Sequence, residues 1–266
     1  MKITILGSGT CASNLAGIEN RFPPGFYVEW EGGGILFDCS EGIRFRLEKM
    51  GIDYNQINHV AITHSHPDHF ALVHYIQSVF CKSMVGPNIN NELNIYAPKH
   101  IVNNFPLLWS IYTQERGEEY FDYPVLKFHN MPDEVVEIGS AKLSAKSVYH
   151  GFGKVDAVAF RLETQEGIFV YSGDCGDSPE LREIARDADF FLCDTSARIG
   201  DEDNATGYGH LNPNQVGVIS QEARVKTVAL THYFGVDPDT AMMEDCKKSG
   251  FAGEVVVAKD FQVIHI

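Results

Sequence analysis

The sequence has no CxxC pair, no long hydrophobic run and few basic residues, and each shortage removes a class of protein. Its six cysteines (Cys11, Cys39, Cys81, Cys175, Cys193 and Cys246) stand singly, which speaks against a thiol zinc ribbon or a secreted disulfide scaffold. Reduced, mostly buried thiols are expected instead. No apolar stretch reaches the length of a bilayer core, and the opening MKITILGSGT is interrupted at Thr4 and Gly7, too early for the apolar part of a secretory signal. A cytoplasmic location without membrane contact is therefore expected. Lysine and arginine number 21 against 36 aspartates and glutamates, a formal charge of -15. Such a field repels polyanions unless basic residues gather on one face, so nucleic-acid binding is not expected. Repeats and low-complexity tracts are missing too, which leaves no sign of a solenoid or a disordered tail.

What is present reads as a layered α/β domain. Short β-rich runs (KITIL, FYVEW, GILFD, HVAIT, LNIYA, KLSAKSV, AVAFRLE, IFVYS, FFLCD, TVALT, EVVVA and QVIHI) alternate with helical patterns along the whole chain, and one domain over residues 1–266 accounts for them. Ile43, Leu47 and Met50 form an i, i+4, i+7 face that stops at Gly51, a helix with its C-terminal glycine. Asn212-Pro213 and Asp237-Pro238 have the form of an N-cap followed by a first-turn proline. The stretch from about 83 to 132 is the least regular and is expected to be an insertion, a loop plus helix over a sheet edge, either packing element or lid.

The chemistry concentrates where HVAIT runs into HSHPDHF. On an extended segment residues i and i+2 project to one side, so His64 and His66 can converge on one cation. Asp68 and His69 begin the next element and can face a second. Imidazole and carboxylate are ligands of zinc, manganese and iron. His59, His74, His100, His129 and His265 have no motif around them and are expected to be structural or solvated.

With these residues in view, the chain resembles the metallo-β-lactamase superfamily, whose HxHxDH signature is matched in full by His64-Ser-His66-Pro-Asp68-His69. The resemblance continues in order along nearly the whole chain, through His150 in SVYHGFG, Asp174 in VYSGDCG and His232 in ALTHYF. It implies a four-layer αββα sandwich. It also implies two divalent ions, zinc first and manganese or iron as alternatives: one held by His64, His66, His150 and Asp174, the other by Asp68, His69, Asp174 and His232.

Within the superfamily, di-iron redox members carry a glutamate where this chain has His66, and lactonase-like members show an HTPGH-type motif around the third ligand, absent from YHGFGKVDAVAFRL. The chain instead resembles the ribonuclease Z and cyclic phosphodiesterase branch. KITILGSGT, LFDCSEG (Asp38, Glu41, Gly42) and the long segment from FLCDTSARIG to ALTHY match that branch, and in the last of these Asp194 and His210 occupy its acidic and histidine positions. The resemblance makes Asp68, His210 and Asp194 the candidate catalytic groups. Two cations activate a shared water and stabilise charge on a phosphoryl group, and an imidazole oriented by a carboxylate can protonate the leaving oxygen. Two departures stand out: Leu72 replaces a glycine three residues after His69, expected to alter the mouth of the site, and the region between Ser83 and Tyr149 is acid-rich (Glu115, Glu118, Glu119, Asp122) where RNA-processing members carry a basic arm. The expectation is a metal-dependent hydrolase of small-molecule phosphodiesters. A lactone or carboxylic ester hydrolase is the alternative and a ribonuclease Z-like endonuclease a further one, with a homodimer allowed.

Overall fold

The computed structural model describes residues 1–12, 20–83, 92–113, 125–201 and 205–266. Two seven-stranded mixed sheets pack face to face. The first contains β1 (Lys2–Gly7), β2 (Gly25–Trp30), β3 (Gly33–Phe37), β4 (His59–Ala61), β5 (Glu92–Pro98), β6 (Val125–Met131) and β14 (Val263–His265), in the order β14-β1-β2-β3-β4-β5-β6. The second contains β7 (Val136–Ile138), β8 (Ala141–Ser147), β9 (Val158–Thr164), β10 (Gly167–Tyr171), β11 (Phe190–Asp194), β12 (Thr227–Thr231) and β13 (Glu254–Val257), in the order β13-β12-β11-β10-β9-β8-β7. Each sheet has a parallel portion, β3 to β6 in one and β10 to β13 in the other, joined to an antiparallel portion.

The period-2 pattern divides the strands between layers. In β3, Ile35 and Phe37 enter the core between the sheets while Leu36 faces the helices; in β11, Phe190 and Leu192 point inward and Phe191 and Cys193 outward. Phe37 meets Phe160, Phe169 and Tyr171 across the interface at ring separations of 5.8, 5.3 and 6.3 Å. Such offset and edge contacts add to what burial of the rings already contributes. Outside the first sheet lie α1 (Ile43–Lys49), α2 (Leu72–Ser83) and α3 (Lys99–Thr113); outside the second lie α4 (Pro179–Ile184), α6 (Pro213–Glu222) and α7 (Asp239–Lys248), with the single turn α5 (Ala205–Tyr208) between. The result is the helix-sheet-sheet-helix sandwich. Among the described residues no helix is long and apolar enough to cross a membrane.

Two local expectations need adjusting. At Asn212 the cap is a full capping box, with Gln215 N–H donating to Asn212 Oδ1 at 2.9 Å and Asn212 N–H donating to Gln215 Oε1 at 3.0 Å, an arrangement worth about 1 kcal/mol. At Asp237-Pro238 the helix begins one residue later, with Pro238 as N-cap and Asp237 accepting from Ile199 N–H at 3.2 Å. The stretch 83–132 contributes regular elements to the first sheet: β5, α3 and the edge strand β6, which pairs in parallel with β5 from Glu92–Val125 to Pro98–Met131. Residues 84–91 and 114–124, including Glu115, Glu118, Glu119 and Asp122, lie outside the described residues. Leu72 opens α2 and is fully buried among the residues between that helix and the first sheet, so it fills the helix layer.

Candidate metal centre

Six loops bring the chemistry together, and each leaves the carboxyl end of a strand, where turns of a layered α/β fold are free to carry ligands. Asp38 follows β3, His64 to His69 follow β4, His150 follows β8, Asp174 follows β10, Asp194 ends β11 and His232 follows β12. Three groups of side chains each offer ligand atoms lying within 4.8 Å of one another: His64, His66, His150 and Asp174; Asp68, His69 and His232; and Asp174, Asp194, His210 and His232. Every residue expected at the site is thus brought to it, from positions 168 apart in sequence between His64 and His232 (232 less 64).

Asp174 stands between the groups, one oxygen toward each. Its Oδ2 lies 3.8 Å from both His64 Nε2 and His150 Nε2, and its Oδ1 lies 3.1 Å from His69 Nε2 and 3.2 Å from His232 Nδ1. Asp174 Oδ1 and His64 Nε2 are buried with no partner in hydrogen-bond geometry, a costly state for polar atoms unless something else satisfies them. The imidazoles of His64, His66 and His150 face one another with ring separations of 4.6 to 4.9 Å. Nitrogen and carboxylate donors gathered around buried, unsatisfied atoms suit a divalent cation of the zinc type.

Behind these donors a further layer of residues sets their direction. Asp38, fully buried at φ 53°, accepts from Thr63 N–H at 2.8 Å, from Tyr171 O–H at 2.7 Å and from His69 Nδ1 at 2.7 Å. It therefore holds the His69 proton on Nδ1 and leaves Nε2 facing Asp174 and His232. Because Asp38 takes the Thr63 amide, the ladder of β4 stops at Ala61, two residues short of the expected run. His150 donates from Nδ1 to Gly209 C=O at 2.9 Å, which turns its Nε2 inward. His210 Nδ1 lies 2.8 Å from Asp194 Oδ2, while Asp194 Oδ1 accepts from Ser196 N–H at 3.0 Å and Ser196 O–H at 2.9 Å.

Burial lowers His64 far below the ordinary imidazole range, and lowers His66 and His150 as well. Burial also opposes charge on His69, His232 and His210, but neighbouring carboxylates outweigh it. Asp174 and Asp38 raise His69, Asp174, Asp194 and Asp68 push His232 up to about 10, and Asp194 raises His210. Asp68, despite its own burial, is drawn down to about 2 by His232 and His69.

Sequence reasoning assigned no role to Asp38, Thr63, Tyr171, Ser196 or Tyr208. Only Asp38 had a signal, in the DCSEG segment after β3. The five histidines without motifs belong to none of the three ligand groups among the described residues; His59 and His129 instead flank Tyr96 as a stack.

A profile described as the β-lactamase superfamily domain matches residues 34–233, and the architecture is that of its metal-dependent members. The chain belongs to the metallo-β-lactamase superfamily. Among curated relatives, the ribonuclease Z of Thermoplasma acidophilum is 27% identical over 86% of this chain and 86% of its own. Among solved structures, the metallo-β-lactamase fold protein YhfI of Bacillus subtilis superposes with a TM-score of 0.79 at 20% identity, over 100% of this chain and 99% of its own. The short form of human tRNase Z gives 0.75 at 21%, over 100% and 99%. These structures support the fold; the relatives support a hydrolase.

The relatives also correct one expectation. Nucleic-acid binding was not expected on the strength of the -15 formal charge, yet relatives aligned over most of the chain are named ribonuclease Z. Net charge is a sum over the molecule and not the potential at one cleft. Asp38, Asp68, Asp174 and Asp194 lie in the site, where cations would offset them. These four carboxylates therefore count in the sum without describing the outer surface that a polyanion would meet.

Proposed function

We propose that this hydrolase cleaves phosphodiesters at a site of two divalent cations, zinc by donor type, and that RNA is among its substrates. His210 and Asp194 carry the proposal: an imidazole at 2.8 Å from a fully buried carboxylate, beside both ligand groups. The first ion would be held by His64, His66, His150 and Asp174, the second by Asp68, His69, His232 and Asp174. When bound, they supply positive charge to a phosphoryl group and lower the pKa of water. Asp194 fixes the His210 ring and favours its protonated form, so that the opposite nitrogen can donate to the leaving oxygen. With a carboxylic ester or lactone the same donor would serve the departing alkoxide, so the choice of phosphodiesters rests on the dyad together with relatives named ribonuclease Z. RNA as substrate rests on the relatives named ribonuclease Z.

His210→Ala is expected to lower turnover of a ribonucleotide diester by about a hundredfold or more at unchanged metal content. A nitrophenyl ester, whose leaving group needs no proton, is expected to lose far less. Equal losses on both substrates would show that His210 does not act as an acid. A wild-type protein that hydrolyses lactones and no diester would reject the substrate class.

A further inference from the structure

The loop after β8 carries an aromatic residue in a costly position. Phe152 has φ 55° and ψ 31°, the left-handed region that disfavours bulky side chains, and it sits between Gly151 at φ 57° and Gly153 at φ 71°. The residue is 61% exposed, so burial returns little for the strain. Asparagine would suit this backbone better. A strained and exposed ring is hard to explain by folding alone, and its neighbours point to a ligand.

Phe152 meets Tyr208 edge-on at 5.0 Å and 82°. Tyr208 stacks on His210 at 5.6 Å and 20°, meets His150 edge-on at 5.3 Å and lies nearly parallel to His66 at 6.5 Å. One ring therefore touches the proposed acid and two proposed ligands, and Phe152 is the next ring outward. The pair is clipped in place: Tyr149 O–H donates to Gly207 C=O at 3.0 Å and His150 Nδ1 to Gly209 C=O at 2.9 Å. At Gly209 the two loops approach so closely that a Cβ would lie 2.7 Å from His150 Cα.

We propose that Phe152, exposed and braced edge-on by Tyr208, is an aromatic ledge that takes the nucleobase adjoining the scissile phosphate. With phosphorus held among the ligand groups, a substituent leaving past His210 runs out over Tyr208 and reaches Phe152. A planar base gains from stacking on such rings whatever its edge pattern, so the ledge requires a base without choosing among bases. The inference rests on the phosphodiesterase reading and narrows it to nucleotide diesters.

Calorimetric titration of the metal-loaded protein with adenosine 5′-monophosphate and with ribose 5-phosphate tests it. Adenosine 5′-monophosphate is expected to bind at least about fivefold more tightly, the lower end of what base stacking supplies. Phe152→Asn is expected to remove that difference, to leave ribose 5-phosphate within about twofold, and to leave thermal stability unchanged or higher, because asparagine relieves the backbone strain. Phe152→Trp should retain the base preference. Equal affinities in the wild type, an equal loss on both ligands, or a destabilised Phe152→Asn protein would overturn the ledge. A base preference in a protein that cleaves no diester would sustain the ledge and strike the reading beneath it, whereas diester cleavage with base-indifferent binding would strike the ledge alone.

Discussion

Around His64, His66 and His150 burial holds all three imidazoles below their ordinary range, whereas across Asp174 the rings of His69 and His232 are held above it. Burial acts in the same direction on both sides. The difference comes from the carboxylates: Asp38 and Asp68 touch imidazoles of the second group directly, at His69 and His232, and Asp194 backs His232 at 3.3 Å. The first group, as a nest of nitrogens held toward the neutral form, would meet a cation with few protons to give up. The second is a charge-paired network whose imidazoles would have to lose protons before they could ligate. The same residue types thus stand in two unlike groups on either side of Asp174, and the substitutions that follow separate them.

Asp174→Ala removes the only side chain common to both proposed sites and should have the largest effect. Activity is expected to fall by about a thousandfold or more, since the charge stabilisation from metal ions is worth several kcal/mol. Metal content should drop together with it, as assayed by atomic emission. An Asp174→Ala protein with full metal content and near-normal turnover would remove the bridge from the account.

Asp38→Asn should act most on the second group, since Asp38 meets His69 directly and reaches His64 only through Thr63 Oγ1, which lies 3.1 Å from His64 Nδ1. Asparagine tolerates the left-handed backbone at this position and can keep the Thr63 contact, but it no longer offers the charge that fixes the His69 ring. Losing such a partner costs about 10- to 100-fold in metal affinity or activity. Competition with a chromophoric chelator should show one site weakened more than the other. Equal weakening of both would mean that the two groups are not independent.

His59→Gln provides the smallest effect and a control outside the site. Burial lowers His59, with His129 adding to it and Glu92 opposing, so the unfolded chain binds the proton more readily than the folded one. Stability tied to a neutral His59 is complete above the ordinary value of 6.5 and is lost as pH falls below it. Glutamine can keep a bond to Tyr96 O–H, now made by His59 Nδ1 at 2.9 Å, without titrating. Denaturant curves of wild type and variant should therefore converge in favour of the variant between neutral pH and the region below 6.5. Parallel curves would show that burial of this ring has no such consequence.

How much of this was visible in the sequence depended on whether the signal was local. The twelve β-rich runs were all found as strands, because a half-buried strand alternates within a few residues. β6 (VLKFHNM) and the three-residue β7 were missed, since an edge strand with Lys127 and Asn130 and largely exposed side chains lacks that contrast. HxHxDH was legible because four donors are contiguous. His150 and His232 were legible only through their order after β-runs, as nothing within SVYHGFG or ALTHYF separates a ligand from a surface histidine. Thr63, Tyr171 and Ser196 acquire their contacts only when loops distant in the chain meet, and no local pattern records that; Asp38 alone was marked, by DCSEG. The reading of charge failed for the same reason in reverse, since a global sum was applied to a local surface.

Anomalous diffraction from crystals grown with zinc tests the central claim, two unlike cation sites on either side of one carboxylate. The account predicts two peaks, one among His64, His66 and His150 and one among Asp68, His69 and His232, with Asp174 between them. Metal-saturated crystals with a single peak, or with peaks that Asp174 does not touch, would contradict it.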